Sequence, residues 1–470
     1  VLVAGLGISG RAAAQVLTAR GARVTTYDDA ASEADERAAG AFLARDGLAE
    51  LDLIVASPGL RPEHALLAAA LERGIEVLSE VELAWRLRVD RAAGGGPAPW
   101  LAVTGTNGKT TTVGMLASIL QANGERVAAV GNVGSPLVLA ATDPSLDVLA
   151  VELSSFQLHF THTISVQAGA VLNVAPDHID WHGSLEAYAA DKGRIFERAQ
   201  VACVYNAADE ATRRLVEDAD VVDGAVAVGF TLGTPSVGQV GLVEDVLVDR
   251  GFAALRYTHA QELATLDDLA QLAGPSGDVA PHVVANALAA AALALAHGVA
   301  PAAVRDGLRA FGPGEHRIVT VATVDGVAYV DDSKATNAHA ASASLAAFPE
   351  RSVVWIAGGL AKGATFDELV EARRDRLVGA VLIGVDREPL AGALARHAPH
   401  VPVIEVEPGE TGDVMTRAVS AARGLAAGVP AGSQTTVLLA PACASMDQFV
   451  SYADRGDRFA AAARDLTEGA

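Results

Sequence analysis

Between Leu101 and Leu120 the chain reads LAVTGTNGKTTTVGMLASIL: an apolar run, a glycine turn carrying one lysine, then a segment with helical spacing. Val113, Leu116, Ile119 and Leu120 fall on one face at the helical period. Backbone N–H groups of such a turn, with the N-terminus of the helix that follows, form a cradle for phosphate. The exposed amides would be those of Gly105, Thr106, Asn107 and Gly108, followed by Lys109 and the hydroxyls of Thr110 and Thr111. Lys109 is placed to reach the β- and γ-phosphates of ATP, and Thr110 to ligate Mg²⁺. The strict P-loop pattern is not met, because Val103 stands where its first glycine belongs.

A second glycine loop, GLGISG (Gly5 to Gly10), follows an apolar run and opens a predicted helix over Arg11 to Arg20, with Asp28 after the next apolar run. That is the whole dinucleotide fingerprint. Its glycines ask only for a diphosphate at a helix N-terminus, and the segment closes near Arg91, with room for one mononucleotide-binding half. A UDP-sugar meets that demand as well as NAD does, and turns that merely close βα units remain a third reading. The expected contacts are Gly5, Ile8, Ser9 and Asp28, with Ser57, Pro58 and Gly59 at the end of IVASPG.

Further on come Asn132 in GNVGSP, Glu152 and Gln157 in VELSSFQ, His178 in NVAPDHIDWH, and Lys192 in DKGR. Glu152 ends an apolar run, where an unpaired carboxylate is costly without a cation, and Mg²⁺ takes oxygen ligands. By residue type alone His178 reads more readily as a surface or capping histidine than as a ligand, and Lys192 as a surface helix lysine.

These residues need strands and helices to hold them, and apolar runs alternate with helical ones throughout, the pattern of parallel sheets covered by helices. The Gly/Pro-rich stretch RAAGGGPAPW (Arg91 to Trp100) and FGPGEHR (Phe311 to Arg317) interrupt the pattern. They suggest an α/β chain of three domains: a Rossmann-like parallel sheet over 1–93, a P-loop α/β domain over 94–312, and a second Rossmann-like domain over 313–470. Asp325-Gly326 marks a hairpin at the start of the third, and SVVWIAGG, GAVLIGV and TTVLLAPA are buried-strand candidates.

The 470 residues carry 35 basic and 57 acidic side chains, a net charge of −22, which disfavours nucleic acid as a partner. Anionic substrates would need local cationic islands. Two cysteines far apart, Cys203 and Cys443, give no disulfide framework and fit a reducing cytoplasm. No apolar run reaches membrane-spanning length and no signal-peptide pattern opens the chain, so a cytoplasmic protein with no membrane partner is expected.

TGTNGKT, ELSSFQL, NVAPDHIDWH with DKGRIFE, HRIVTV, DDSKATN, AGGLAKG and PACASMDQF, taken in order, resemble the Mur ligases over nearly the whole chain. In that family the phosphate loop has the form T-G-T-N-G-K-[ST], which accounts for Val103. The D-N-P-R motif of the diaminopimelate- or lysine-adding relatives is absent, which favours D-glutamate as acceptor. The resemblance implies ATP-driven amide synthesis: the alanyl carboxylate of UDP-N-acetylmuramoyl-L-alanine becomes an acyl phosphate, and the amine of D-glutamate displaces phosphate. It implies two Mg²⁺ ions held by Thr110, Glu152, His178 and a carbamylated Lys192, with Lys109, Glu152, His178 and Lys192 as the catalytic set. It further implies Asn132 near the γ-phosphate and the UDP-substrate, and Gln157 on the UDP-substrate. Asn286 would lie near adenine, and Arg317 and Asp332 would meet the nucleotide, Asp332 at its ribose. D-Glutamate would be held by Lys334, Thr336, Lys362, Ser445, Met446 and Tyr452, and a monomer is expected. A folylpolyglutamate-type ligase and, in another class, a nicotinamide oxidoreductase are the alternatives.

Overall fold

A computed structural model describes residues 1–28, 46–273, 277–312, 318–361, 363–409, 411–429 and 435–468. Among them the chain forms three sheets and divides into two compact units, one of residues 1–269 with 283–311, the other of 270–282 with 312–470.

The first unit carries two sheets. Strands β1 (Leu2–Ala4), β2 (Thr25–Tyr27), β3 (Leu53–Ala56) and β4 (Glu76–Ser79) lie in the order β2-β1-β3-β4, all parallel. The helix expected over Arg11 to Arg20 spans Ile8–Ala19. The second sheet contains β5 (Trp100–Thr104), β6 (Val127–Gly131), β7 (Val148–Glu152), β8 (Ala168–Val171), β9 (Ala202–Asn206), β10 (Val226–Phe230), β11 (Gln239–Val243), β12 (Val246–Asp249) and β13 (Gln261–Thr265). Its order is β13-β12-β11-β10-β9-β8-β5-β7-β6, with β5 to β11 parallel and the β12 and β13 edge antiparallel. β5, β7 and β8 are buried along their whole lengths, hence their unbroken apolar runs.

The two sheets of this unit share one apolar core. Val3, Ala12, Ala13 and Leu17 pack in the same cluster as Trp100, Leu137, Val138 and Val151. Buried acids also join them. Glu80, in the helix Glu80–Arg86, accepts a 2.6 Å hydrogen bond from Val138 N. Glu82 accepts from His162 N, Thr163 N and the Thr163 hydroxyl.

In the second unit β14 (Val319–Val324), β15 (Val327–Asp331), β16 (Val353–Gly358), β17 (Leu377–Ile383), β18 (Val403–Glu405) and β19 (Thr436–Leu439) run β14-β15-β19-β16-β17-β18. Only the β14–β15 pair is antiparallel. It is the hairpin expected at Asp325-Gly326, both residues having positive φ (53° and 81°), the backbone that a two-residue hairpin turn requires. The three strand candidates of this segment form β16, β17 and β19. Since they run parallel to β15, the DDSKATN, AGGLAKG and PACASMDQF segments all leave from one edge of the sheet, where open α/β folds bind ligands.

Candidate active site

In the first unit β5 delivers the chain to Gly105, whose φ of +148° suits glycine and whose Cα sits against Leu172 and Asn173; a Cβ there would lie 3.0 Å from Leu172 Cβ. Gly108 has φ +88° and precedes the helix Lys109–Ala122, which has no side-chain cap, so the first amides of the helix are available to an anion. A Cβ at Gly108 would fall 2.4 Å from Asn286 Oδ1, which puts the Asn286 carboxamide beside the loop. Thr106 N donates to Asn173 O, the Thr106 hydroxyl meets Tyr188 OH at 3.1 Å, and the Asn173 carboxamide accepts from Asn107 N and donates to Asn107 O. The loop is therefore shaped before any ligand arrives.

Two ammonium-bearing side chains converge on it. Lys109 Nζ donates to Gly105 O (2.8 Å) and Thr106 O (3.0 Å), and Lys192 Nζ donates to the same Gly105 O at 3.1 Å. Lys192 is 2% exposed and lies 4.2 Å over the Tyr188 ring. The surface-lysine reading is thus overturned: the helix Leu185–Gly193 turns this residue inward. Burial, and after it the charge of Lys109, pulls the Lys192 amine well below the ordinary lysine range.

On β7, which pairs directly with β5 so that Glu152 faces Val103, Glu152 is 1% exposed. Its Oε1 accepts from Asn132 Nδ2 at 2.9 Å, while Oε2 has no hydrogen-bond partner. A buried carboxylate oxygen left open in this way fits a hard cation. Among the described residues no three His, Cys, Asp or Glu side chains gather into a preformed metal cage. Mg²⁺ needs none, since one or two carboxylates with phosphate oxygens and water commonly suffice. His178 caps the short helix Ile179–His182 from a left-handed backbone (φ 52°), with its ring edge-on to Phe156 at 4.7 Å and its Nε2 3.6 Å from Asp177. Gln157 is buried and closes a capping box with Ser154.

Beneath these residues lies a network that sequence reasoning missed. Asp191 accepts from Nδ1 of both His159 and His182 (each 2.9 Å), and His182 Nε2 meets the Ser155 hydroxyl at 3.0 Å. Burial acts to raise the Asp191 carboxyl, but the hydrogen bonds and charges of the two imidazoles outweigh it and hold it down at about 2. Ser155, His182 and Asp191 follow Glu152, His178 and precede Lys192 by one to four residues, so one network braces all three segments. Ser155, His182 and Asp191 each stand inside a quoted motif, His159 just after one, and only their joint placement was hidden.

The first glycine loop is equally built. Gly10 backs onto Gly5 O, Gly5 (φ +90°) backs onto Ser57, and Leu6 N donates to Asp28 Oδ1 at 3.1 Å. Gly5, Asp28 and Ser57 therefore stand together at the carboxyl ends of β1, β2 and β3. Ile8, 72% exposed, marks the open mouth. Pro58 and Gly59 follow Ser57 in the turn after β3, and Ser9 lies in the first turn of the helix.

In the second unit Lys334 Nζ lies 5.1 Å over the Tyr452 ring. Asp332 is buried, with one oxygen taken by the Ser344 hydroxyl. Thr336 N turns back to Lys334 O, Ser445 is buried, and Met446 is exposed beside a cavity of about 370 Å³ lined also by Val385, Pro408, Asp447 and Phe449. Arg317 and Lys362 lie outside the described residues. A cavity of about 960 Å³ opens at the opposite end of the sheet, by Arg351, Arg374 and His400, and holds none of the expected site residues.

Residues 1–79 match the Mur ligase MurD-like N-terminal domain, and residues 103–294 the Mur ligase middle domain. The UDP-N-acetylmuramoylalanine–D-glutamate ligase of Streptomyces coelicolor is 58% identical over 477 residues, covering 99% of this chain and 98% of that protein. The enzyme of the same name from Thermobifida fusca is 51% identical over 481 residues, with the same coverage. Among solved structures, the UDP-N-acetylmuramate–alanine ligase of Thermotoga maritima aligns over 100% of this chain and 98% of its own, with a TM-score of 0.55 at 18% identity. A Mycobacterium tuberculosis folylpolyglutamate synthase complexed with ADP and AMPPCP aligns over 78% and 91%, with a TM-score of 0.54 at 18% identity. At that identity the structural likeness speaks for the fold, and the sequence likeness for the family: this chain belongs to the Mur ligases.

Proposed function

We propose that the chain is an ATP-dependent ligase that joins D-glutamate to UDP-N-acetylmuramoyl-L-alanine in the synthesis of peptidoglycan precursors. The observation that carries this reading is the end-to-end match, at 58% identity, to a ligase of that name. In this reading residues 1–93 serve the UDP-substrate, 94–312 serve ATP and 313–470 serve D-glutamate, in a cytoplasmic monomer. Among the described residues no helix is long and apolar enough to cross a membrane. The alternatives of a folylpolyglutamate-type ligase and a nicotinamide oxidoreductase are not favoured by these relatives.

The chemistry follows from the inertness of a carboxylate toward amines. The alanyl carboxylate attacks the γ-phosphorus of ATP, ADP departs, and an acyl phosphate forms. The amine of D-glutamate then adds to the acyl carbon, a proton is lost, and inorganic phosphate leaves. Phosphoryl transfer is catalysed chiefly by positioning and charge neutralisation. The amides of Gly105 to Gly108 and the uncapped helix hold the phosphates, and Lys109 exchanges its two loop carbonyls for phosphate oxygens. Thr110, Thr111 and Asn286 complete the nucleotide side, with Arg317 and Asp332 contributed by the third segment. Gly5, Ile8, Ser9, Asp28, Ser57, Pro58, Gly59, Asn132 and Gln157 hold the UDP-substrate, with Asn132 near the γ-phosphate. Thr110, Glu152, His178 and Lys192 would hold Mg²⁺, two ions in all, which supplies charge stabilisation on the transferring phosphoryl group. Lys192 would serve as a carbamate: an amine whose pKa is pulled down gives up its proton more readily, and the neutral form can take up CO₂. The α- and γ-carboxylates of D-glutamate would meet Lys334, Thr336, Lys362, Ser445, Met446 and Tyr452.

The test is phosphate release from ATP with UDP-N-acetylmuramoyl-L-alanine and a panel of acceptor amino acids. D-Glutamate is expected to support turnover, and L-glutamate, D-alanine and diaminopimelate are not. Turnover with diaminopimelate in place of D-glutamate would contradict the reading.

A further inference from the structure

Arg455 lies in the helix Tyr452–Glu468 and its side chain is fully buried. Its guanidinium donates through Nε to Ser333 Oγ (2.9 Å), through Nη2 to Ser333 O (2.9 Å) and through Nη1 to Cys443 O (3.1 Å). The Ser333 hydroxyl in turn donates to Tyr452 O at 2.8 Å. All of these acceptors are neutral oxygens, so a buried cation is spent here without a direct carboxylate partner, a costly arrangement unless geometry is what it secures. Burial pulls its pKa down to about 10, which still leaves it charged at neutral pH.

The three segments it joins are those assigned to the acceptor amino acid. Ser333 precedes Lys334 and Thr336, Cys443 precedes Ser445 and Met446, and Tyr452 opens the helix that carries Arg455. Supporting bonds run the same way: Ala442 N donates to Ala335 O, and Leu360 and Ala444 exchange backbone hydrogen bonds, bringing in the AGGLAKG segment. The planar fork of arginine can serve two carbonyls and a hydroxyl at once, which the single tip of a lysine cannot. We propose that Arg455 is a positioning residue for D-glutamate, a buried clamp that sets the spacing between the Lys334–Thr336 and Ser445–Met446 segments. The inference rests on the ligase reading above. Arg455 touches no substrate in it and acts through Ser333 and Cys443.

The experiment uses full-length Arg455→Lys and Ser333→Ala, with Ser445→Ala as reference. Each is assayed for the KM of D-glutamate and for hydroxamate formed without D-glutamate. Hydroxylamine takes the acyl group of the acyl phosphate and releases phosphate, so the hydroxamate reports the first half-reaction alone. Arg455→Lys and Ser333→Ala are expected to raise the KM for D-glutamate about tenfold, the size of one lost hydrogen bond to a charged group. Hydroxamate yield and the KM for ATP should stay at wild-type values. If Ser445→Ala raises the KM for D-glutamate and the other two do not, the inference is overturned and the ligase reading stands. If none of the three raises it, the acceptor pocket itself is misassigned and the inference falls with it. If Arg455→Lys loses thermal midpoint and hydroxamate together while Ser333→Ala keeps a wild-type KM for D-glutamate, Arg455 only supports the fold, and the inference is overturned.

Discussion

Lys192 shows most sharply what burial does to a residue's meaning. In the sequence it is one lysine of a polar helix; in the fold it is enclosed, with its amine on Gly105 O beside Lys109. A charged amine next to another ammonium and out of water is disfavoured, so the neutral form gains, and neutral amines add to CO₂. Lys192→Ala should therefore lose most ligase activity, by several kcal/mol of transition-state stabilisation if the carbamate neutralises phosphoryl charge. Acetate or formate should restore part of it. Isotope-labelled bicarbonate should give a carbamate carbon signal in the wild-type protein and none in the variant. Wild-type turnover in Lys192→Ala, without added acid, would remove the residue from the site. Glu152 was legible for a simpler reason: it ends an apolar run that the fold buries, which leaves its Oε2 without a hydrogen-bond partner. The Asp191 network and Arg455 were not legible. Their partners are drawn together only by tertiary packing, Arg455 and Ser333 across 122 positions.

Elements were the easiest level to read. Periodicity and turn chemistry are local, so the phosphate-loop helix, the Asp325-Gly326 hairpin and strands β16, β17 and β19 could be anticipated from short windows. What windows do not contain is how elements lock. Glu80 is the instructive case, a buried acid on one helix that accepts through Oε1 from Val138 N in the first turn of the helix Leu137–Ala141, with Oε2 without a hydrogen-bond partner. Burial raises its carboxyl to about 7. Because the folded state favours the protonated form, its penalty is absent in acid, grows as pH rises past the ordinary glutamate range, and is complete above the raised value. Glu80→Gln keeps the acceptor for Val138 N and removes the charge. It should leave stability near wild type at about pH 4 and raise it toward about pH 8, by at most about 3 kcal/mol. Thermal midpoints across that range are the check, and a gap between variant and wild type that does not widen with pH would show that Glu80 stays uncharged or solvated.

At the scale of the whole molecule, an acidic chain handles three anionic substrates by concentrating its cations. Lys109 sits on the carbonyls of Gly105 and Thr106 in the first unit, and Lys334 stands over Tyr452 in the second. The net charge of −22 disfavours nucleic acid and says little more, whereas these islands are where the proposed reading places the anions. The order of motifs along the chain carried the family, and with it the chemistry; composition could not. The central claim is that ATP activates the alanyl carboxylate by phosphorylating it. The most direct measurement starts from UDP-N-acetylmuramoyl-L-alanine labelled with heavy oxygen in that carboxylate, turned over with ATP and D-glutamate, and reads the mass of the released phosphate. Attack of the carboxylate on the γ-phosphorus predicts one heavy oxygen in each phosphate formed. Labelled AMP alongside unlabelled pyrophosphate, or unlabelled phosphate alone, would contradict the account.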